Sequence, residues 1–323
     1  MTAPVSDAAT VAAIDIGTNS VKMTVATGGL GAPLHVLADV TSITRLGKKV
    51  DAEGRLTTEA VNRTLAALDG FAHEARSLGA TRITAVGTSA LRDAANGKEF
   101  VQRAEALLGG KVEVITGDRE ATLIYTAARH DRDLPLPESS DITLATTDIG
   151  GGSTEVVLGR GDTVTFRTSL QLGAVRLTER AMLSDPPTPA ELAQAIAIAD
   201  DALAVVPVTP AREAVFMVGS GGTAANLAAM KLSVGRPTGS PALTLEEVHA
   251  TRLTLEEIEE RIESLAAVPV FERRAVPGLE PDRADVIVAG AIIQARALRH
   301  LDASTMIVSL RGLRYGLLYE MLG

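Results

Sequence analysis

Two short stretches of this sequence align without a gap, Asp15-Ile-Gly-Thr-Asn-Ser20 and Asp148-Ile-Gly-Gly-Gly-Ser153. Each stretch follows an apolar run that predicts a buried β-strand. Each also leads into a second β-prone run, at residues 21–26 in the first case and 154–158 in the second. The same strand–loop–strand hairpin therefore occurs twice, and this self-similarity predicts an internal duplication.

The composition fits two α/β domains. Domains usually hold about 100–200 residues, so a chain of 323 residues predicts two of them. Hydrophobic residues make up 46% and aromatic residues 2%, which predicts aliphatic cores. The chain has no Cys, so disulfides and thiolate metal sites are excluded. A net charge of −9 argues against DNA or RNA as a partner, because nucleic-acid binders normally carry a basic surplus.

Neither end of the chain carries a membrane signal. The N-terminus, MTAPVSDAAT, lacks the basic and apolar regions of a signal peptide. The apolar run at residues 286–293 is too short to span a bilayer and is soon followed by charged residues. We therefore expect a cytoplasmic protein without a membrane partner.

Predicted strands and helices alternate, which indicates mostly parallel, covered sheets. We expect strands at 11–16, 82–86, 112–116 and 306–309, and helices at 58–78, 98–108, 190–203, 284–301 and 312–321. A stretch with two prolines at 132–141 predicts a domain boundary, and SDPPTP at 184–189 predicts a second loop. The expected domains are residues 1–130 and 131–311, with a terminal helix at about 312–323 that returns to the first.

The paired loops have the chemistry of phosphate binding. Glycine lets the backbone approach a phosphate closely, and successive N–H groups form an anion nest. Asn19, Ser20, Ser153 and Thr154 add side-chain donors. The aspartate of each loop needs a nearby cation, and Mg²⁺ held by Asp148 and phosphate oxygens meets that need. The alternative is that both loops are ordinary glycine turns.

A third glycine cluster, Gly219-Ser-Gly-Gly-Thr223, follows an apolar run at 214–218 and precedes a predicted helix at 224–231. A strand, a glycine turn and a helix N-terminus together predict an anion or nucleotide cradle. The cluster does not fit the pattern G-x-x-x-x-G-K-[ST], because no lysine follows it.

These three elements in this order resemble the actin/hexokinase/heat-shock-ATPase superfamily. More narrowly, the chain resembles its exopolyphosphatase and guanosine pentaphosphate phosphohydrolase family (Ppx/GppA). The narrower resemblance rests on VGTSALRDAAN at 86–96, ITGDREATLIY at 115–125, DIGGGSTE at 148–155 and SLRGLRYGLL at 309–318. It covers nearly the whole chain and implies two actin-like (ribonuclease H-like) domains with the active-site cleft between them.

The resemblance also assigns roles to residues. Glu120 would be the catalytic carboxylate that orients or deprotonates the attacking water, and Glu155 a further carboxylate of the site. The alternative for Glu120 is a first-turn glutamate favoured by the helix dipole. Asp148, and Asp15 in the first loop, would hold Mg²⁺ or Mn²⁺. The phosphate-binding residues would be Gly17, Thr18, Asn19, Ser20, Ser89, Arg92, Asn96, Gly150, Gly151, Gly152, Ser153, Thr154, Gly221, Gly222 and Thr223.

One position departs from the family pattern. Many members carry a second glutamate directly before the catalytic one, and here that position is Arg119, which could add a phosphate contact. Further basic residues either line a longer groove or are solvated charges: Arg45, Lys48, Lys49, Arg311 and Arg314. The five histidines are scattered, which argues against Ser-His-Asp catalysis.

Four functions remain open from the sequence. The first is an exopolyphosphatase, which releases orthophosphate from the end of inorganic polyphosphate, and the second is the same hydrolysis on guanosine pentaphosphate. The third is an actin-like ATPase or sugar kinase, and the fourth a non-catalytic alarmone sensor. Longer family members carry an added C-terminal helical domain, whereas this sequence ends at Gly323, so we expect a shorter groove. The family also implies a homodimer.

Overall fold

A computed structural model describes residues 9–28, 34–137, 142–208, 215–237 and 240–323. The start of the N-terminal segment examined for a signal peptide, and the end of the predicted boundary loop at 132–141, lie outside these residues. The chain divides into two compact units. The first is Met1–Ala127 together with Leu313–Gly323, and the second is Ala128–Gly312.

The first unit is built on a five-stranded sheet of order β3-β2-β1-β4-β5. Strands β1 to β3 are antiparallel neighbours, whereas β4 and β5 run parallel to β1. The elements in chain order are β1 Val11–Ile16, β2 Ser20–Thr27, β3 His35–Ile43, α1 Val50–Glu53, α2 Thr58–Ser77, β4 Arg82–Gly87, α3 Ser89–Asp93, α4 Gly97–Leu108, β5 Val112–Val114 and α5 Gly117–His130.

Strand β1 is buried on both faces, which explains its continuous apolar sequence. Because successive strand residues point to opposite faces, Ile14 packs in one hydrophobic cluster with Leu68 of α2, and Ala13 packs in another with Leu123 of α5. The C-terminal helix α13, Leu313–Leu322, joins the second cluster through Leu317. The cores are therefore aliphatic, as the composition predicts.

The second unit contains a six-stranded sheet of order β10-β11-β9-β6-β7-β8. Its elements are β6 Thr143–Ile149, β7 Thr154–Arg160, β8 Thr163–Leu170, α6 Ala174–Ala181, α7 Pro189–Leu203, β9 Val215–Ser220, α8 Gly221–Ser233, α9 Leu245–Val248, β10 Arg252–Thr254, α10 Leu255–Ala266, α11 Val270–Arg273, a 3-10 turn Pro281–Arg283, α12 Ile287–His300 and β11 Thr305–Val308.

The two sheets repeat one topology. Strands β6, β7 and β8 form an antiparallel meander, and β9 runs parallel to β6 as β4 does to β1. With β11 beside β9, the second sheet repeats the order of the first and adds β10 at its edge. The α/β class and the duplicated, actin-like fold are thus confirmed. Among the described residues, no helix is both long and apolar enough to cross a membrane.

Several element boundaries differ from the sequence-based expectation. Helix α8 begins at Gly221 and not at residue 224, so the last glycines of the third cluster lie in its first turn. Strand β5 ends at Val114, and α12 begins at Ile287 after a 3-10 turn. The predicted run at 214–218 starts at a residue outside the described ranges. The third strands β3 and β8 were not predicted.

Candidate functional site

The two DIG loops close in the same way. In the first, the N–H of Gly17 donates to the carbonyl of Ser20 over 3.0 Å, and in the second the N–H of Gly150 donates to Ser153 over 3.0 Å. A Cβ on either glycine would lie 3.0–3.1 Å from that carbonyl oxygen, closer than most side chains tolerate. The duplication therefore extends from the topology to the hydrogen bond that shapes each loop.

The first loop has its carbonyl groups anchored and its N–H groups open. The carbonyl of Thr18 accepts from Gly47 N over 2.8 Å, and that of Asn19 accepts from Thr44 N and Arg45 N. In the described part of the chain, the N–H groups of Thr18 and Asn19 have no acceptor. Open donors beside anchored carbonyls form the nest that an anion occupies.

The second loop shows the same arrangement. The carbonyl of Gly150 accepts from Ala174 N, and that of Gly151 accepts from Val175 N, both over 2.9 Å at the start of α6. No acceptor for the N–H groups of Gly151 and Gly152 occurs among the described residues. A Cβ on Gly173 would lie 2.3 Å from the carbonyl oxygen of Gly151, so this close approach requires glycine.

Three polar side chains of the first unit extend its anion nest. The hydroxyls of Thr18 and Ser89 lie 2.9 Å apart and join the loop to the first residue of α3. The side-chain nitrogen of Asn19 is buried and has no hydrogen-bond partner within the described ranges. An unpaired buried amide costs free energy unless a ligand accepts from it, so Asn19 supports an anion site here.

Asp148 and Glu155 lie side by side on the sheet of the second unit. They are directly opposite each other in the antiparallel β6–β7 pair, so their side chains share one face. Glu155 is buried and accepts a hydrogen bond of 2.6 Å from the Ser169 hydroxyl. Asp148 has no hydrogen-bond or ion-pair partner among the residues that the structure describes. Neighbouring carboxylates repel each other, and a divalent cation removes that repulsion.

Two glycine backbones border the Asp148 carboxylate. A Cβ on Gly221 would lie 2.5 Å from its Oδ1, and one on Gly312 would lie 3.1 Å from its Oδ2. Gly221 has a φ of +86°, in the region that favours glycine. The backbone at Gly221 and Gly312 thus lies close to both oxygens of the Asp148 carboxylate, and a side chain at Gly221 would displace it.

Asp15 has different surroundings from its counterpart Asp148. Its directly opposite neighbour in the β1–β2 pair is Lys22, where the second unit has Glu155. A lysine directly across the strand pair offsets part of the negative charge of an aspartate, whereas a glutamate there adds to it. The contrast favours Asp148 over Asp15 as a metal ligand.

The N-terminus of α8 carries a cation that the motif analysis missed. A Cβ on Gly222 would lie 2.1 Å from the guanidinium carbon of Arg283. Arg283 is buried and donates through Nε to Glu280 over 2.8 Å. Its position at the end of the 3-10 turn Pro281–Arg283 gives no sequence signal. Thr223 packs toward α12, because a Cβ on Gly290 would lie 2.3 Å from its hydroxyl oxygen.

Glu120 and Arg92 form a pair in the first unit. Glu120 lies in the first turn of α5 and is 6% exposed. Arg92 Nη1 donates to Glu120 Oε2 and to the carbonyl of Ile115, both over 2.9 Å. Arg92 Nη2 is buried and has no partner among the described residues. A buried carboxylate beside a partly unsatisfied guanidinium is the type of group expected at a phosphate-transfer site.

Asn96 and Arg119 have protein partners. The amide of Asn96 accepts from Leu56 N over 2.8 Å and donates to Leu56 O over 3.0 Å, so both ends of the amide hold the chain before α2. Arg119 donates to Glu320 of α13, and this hydrogen bond raises the pKa of its guanidinium. The phosphate contacts predicted for both residues have no support from this geometry.

Arg314 is buried and is not a solvated charge. Its Nη1 donates to Asp39 Oδ1 over 2.6 Å and to the Thr24 hydroxyl over 2.9 Å. The hydroxyl of Tyr315 donates to the other oxygen of Asp39 over 3.0 Å. This network ties α13 to β2 and β3 within the first unit.

A second acidic group lies apart from Asp148 in sequence. Asp131, Asp133 and His249 bring one ligand atom each to within 4.8 Å of one another, close enough to hold a metal ion. Arg311, however, donates to both aspartates. A guanidinium in that place competes with a cation, so this group forms an ion-pair network.

A model of the Ppx/GppA phosphatase family matches residues 23–323. The chain belongs to the Ppx/GppA phosphatase family. It is thus a hydrolase of this family, and the resemblance drawn from the four sequence motifs is confirmed.

Curated relatives of this Ppx/GppA chain carry two kinds of name. Exopolyphosphatase 2 of Mycobacterium tuberculosis is 37% identical over 303 residues, which cover 90% of each chain. A guanosine-5'-triphosphate,3'-diphosphate pyrophosphatase of Photobacterium profundum is 30% identical over 314 residues, which cover 96% of this chain and 59% of that protein.

Solved structures share the fold of this Ppx/GppA chain. The Ppx/GppA family member of Aquifex aeolicus is 33% identical with a TM-score of 0.78 and 97% coverage of both chains. An exopolyphosphatase from Cytophaga hutchinsonii is 27% identical with a TM-score of 0.84 and 97% coverage of both chains.

Proposed function

We propose that this chain is an exopolyphosphatase that releases orthophosphate from the end of inorganic polyphosphate, short chains in particular. The observation that carries the proposal is the buried Glu120 held by Arg92. Phosphoryl transfer requires an oriented water and neutralised phosphate charge, with little covalent participation by the protein. Glu120 meets the first need, and the open N–H groups of the first DIG loop, in the same unit, meet the second.

The reaction assigns a separate role to each group. The oxygen of a water molecule attacks the terminal phosphorus, and the water proton passes to the carboxylate of Glu120. The bridging P–O bond breaks, and the shortened polyphosphate leaves with the bonding electron pair. The free Nη2 of Arg92 donates to a phosphate oxygen, which satisfies the buried nitrogen.

Asp148 and Glu155 fit a divalent cation, Mg²⁺ or Mn²⁺. Two carboxylates on one sheet face, one without a protein partner, form an oxygen-rich site of the kind such ions prefer. The bound ion supplies neutralisation of phosphate charge. The close backbone at Gly221 and Gly312 would hold the Asp148 carboxylate in place for such an ion.

The second candidate is hydrolysis of guanosine pentaphosphate at its 5′ end, which uses the same chemistry. The similarity to the Photobacterium profundum pyrophosphatase, 30% identical over 96% of this chain, favours it. Both substrates end in a phosphoanhydride bond. They differ in what is attached to it, which is a chain of further phosphates in one case and a guanosine nucleotide in the other.

Parallel phosphate-release assays separate the candidates. Purified protein is given polyphosphates of defined length, guanosine pentaphosphate and ATP, each with Mg²⁺ and with Mn²⁺. We expect the highest kcat/KM for short polyphosphate. A higher value for guanosine pentaphosphate would replace the first proposal by the second, and a preference for ATP would indicate an ATPase or kinase. Binding without any phosphate release would indicate a sensor.

We also propose a homodimer, as the family resemblance implies. Light scattering of the purified chain measures its mass in solution. A mass of one chain, 33.5 kDa, across a wide concentration range would rule the dimer out.

A further inference from the structure

Residues 309–312 connect β11 to α13, and we call them the 309–312 segment. The N–H of Ser309 donates to the Gly219 carbonyl over 2.8 Å, and the N–H of Leu310 donates to His249 Nδ1 over 3.2 Å. The N–H of Arg311 donates to the Ser309 hydroxyl over 3.1 Å. Three successive N–H groups are therefore fixed, although the segment belongs to neither a helix nor a strand.

The side chain of Arg311 anchors the same segment. Its Nη1 donates to Asp131 Oδ1 over 2.6 Å, and its Nη2 donates to Asp133. Asp131 is only 2% exposed, and its other oxygen lies 3.4 Å from the Ser309 hydroxyl and 3.3 Å from His249 Nε2. A buried carboxylate surrounded by such partners holds each of them in a defined place.

The segment ends at Gly312, which borders the proposed metal ligand. A Cβ on Gly312 would lie 3.1 Å from Asp148 Oδ2 and 3.8 Å from the Ser220 hydroxyl. Gly221 borders the opposite oxygen of Asp148 at 2.5 Å by the same measure. The backbone at Gly312 is therefore one of two walls that set where the Asp148 carboxylate lies.

We propose that Arg311 is a positioning residue for Asp148, acting through the 309–312 segment and its anchor on Asp131. This inference rests on the proposed function, in which Asp148 serves phosphate hydrolysis. Arg311 has no contact with substrate in this role, because both of its terminal nitrogens are committed to aspartates.

Two other roles for Arg311 fit the geometry less well. A groove-lining arginine needs a free guanidinium, and a metal centre at Asp131, Asp133 and His249 needs the space that the guanidinium fills. An anchoring role explains why Arg311 donates to two carboxylates, those of Asp131 and Asp133, and why it directly precedes Gly312, the glycine that borders Asp148.

The test compares three variants of the full chain. Arg311→Met removes the anchor, and Arg311→Lys keeps the charge while losing the two-pronged contact. The matched control is Arg296→Met, which breaks the two-pronged pair of Arg296 with Asp200 in the same unit. Arg296 has no contact with the 309–312 segment, so the control reports the general cost of losing such a pair.

The first readout is hydrogen exchange of the amides of residues 309–312, which does not depend on activity. We expect exchange at least about 10-fold faster in Arg311→Met than in wild type, because local opening of the segment becomes easier. Arg311→Lys should give a smaller increase, and Arg296→Met should leave these amides within about 2-fold of wild type. Unchanged exchange in Arg311→Met would overturn the anchor.

The second readout is steady-state phosphate release. A displacement of about 1 Å at a reacting group costs about 100-fold in rate, so kcat should fall by about 10- to 100-fold in Arg311→Met while KM changes by less than about 3-fold. Faster exchange with unchanged kcat would overturn the link to Asp148. If Arg311→Lys failed to fold, the residue would be structural and the inference wrong. If wild type released no phosphate, the proposed function would fail. The hydrogen-exchange data would still show whether Arg311 anchors the 309–312 segment.

Discussion

Arg92 Nη1 lies 2.9 Å from Glu120 Oε2, and the neighbouring Nη2 of the same guanidinium is buried without a partner in the described part of the chain. The sequence motifs place these two residues 28 positions apart, on α3 and α5. One side chain thus orients the proposed base and keeps a second donor for the phosphate that the activated water attacks.

Glu120→Gln should lower kcat by about 10²–10⁴-fold, the usual contribution of a general base, and change KM far less. The variant should also lose up to about 1.5–3 kcal/mol of stability, because the ion pair with Arg92 becomes a hydrogen bond from the guanidinium to a neutral amide oxygen. The helix dipole alone would predict a smaller loss. Single-turnover hydrolysis and thermal midpoints on one preparation measure both effects.

The control for this variant is Glu99→Gln, an exposed first-turn glutamate on α4. It should lose only a dipole contribution of about 0.3–1 kcal/mol and keep full turnover. Near-wild-type turnover of Glu120→Gln would show that Glu120 is not the catalytic base. Glu155 would then be the next candidate for that role.

Arg92→Lys should raise the KM for polyphosphate by about 10-fold or more, because an ammonium group cannot serve Glu120 and a phosphate with two fixed donors. The exposed Arg103→Lys on α4 is the matched control and should behave as wild type. Steady-state kinetics over a range of polyphosphate concentrations test this directly, and equal KM and kcat values in both variants would refute the phosphate contact.

Asp148→Asn should abolish most metal-dependent phosphate release while the fold survives, because it removes a carboxylate with no protein partner among the described residues. Asp15→Asn, the same change in the first loop, should have a smaller effect since Lys22 lies opposite Asp15. Titrations with Mg²⁺ and Mn²⁺ give the metal concentration for half-maximal rate. Full activity of wild type in a chelator would exclude a metal at Asp148.

Arg314→Met should destabilise the first unit by up to about 3–5 kcal/mol, because the partly buried Asp39 carboxylate loses its buried cation. The double variant Arg314→Met with Asp39→Leu should recover part of that loss. All three tyrosines, Tyr125, Tyr315 and Tyr319, belong to the first unit and the chain has no Trp, so tyrosine fluorescence in a urea titration follows this unit selectively. Equal loss in both variants would contradict the ion-pair account.

Glu191 should titrate far below an ordinary glutamate. Hydrogen bonds, chiefly from the backbone N–H of Thr188, lower the pKa of Glu191 to about 2. A depressed pKa stabilises the folded state above the unfolded value near 4.5, and this contribution disappears as the pH falls through about 2. Carbon NMR of the carboxyl group measures the value, and Thr188→Ala should raise it. An ordinary pKa in wild type would contradict the capping geometry before α7.

Secondary-structure elements could be predicted from the sequence where neighbouring residues carry a clear pattern. Strands buried on both faces, such as β1, are continuous apolar runs, and a loop closed by a glycine N–H repeats as a motif. Strands β3 and β8 were not predicted from the sequence. Each lies at the edge of its sheet, where polar residues at exposed positions interrupt the apolar pattern. The start of α8 was misplaced because Gly221 and Gly222, poor helix formers, occupy its first turn.

The duplicated hairpins, the largely aliphatic cores and the family follow from the amino-acid sequence, since these depend on residues near one another or on repeated motifs. The three-dimensional fold was needed to show which charged side chains pair: Arg92 with Glu120, Arg311 with Asp131, and Arg314 with Asp39. An arginine motif looks the same whether it binds a phosphate or a carboxylate of the same chain. The choice depends on backbone paths that bring distant residues within about 3 Å, a distance that no local pattern encodes.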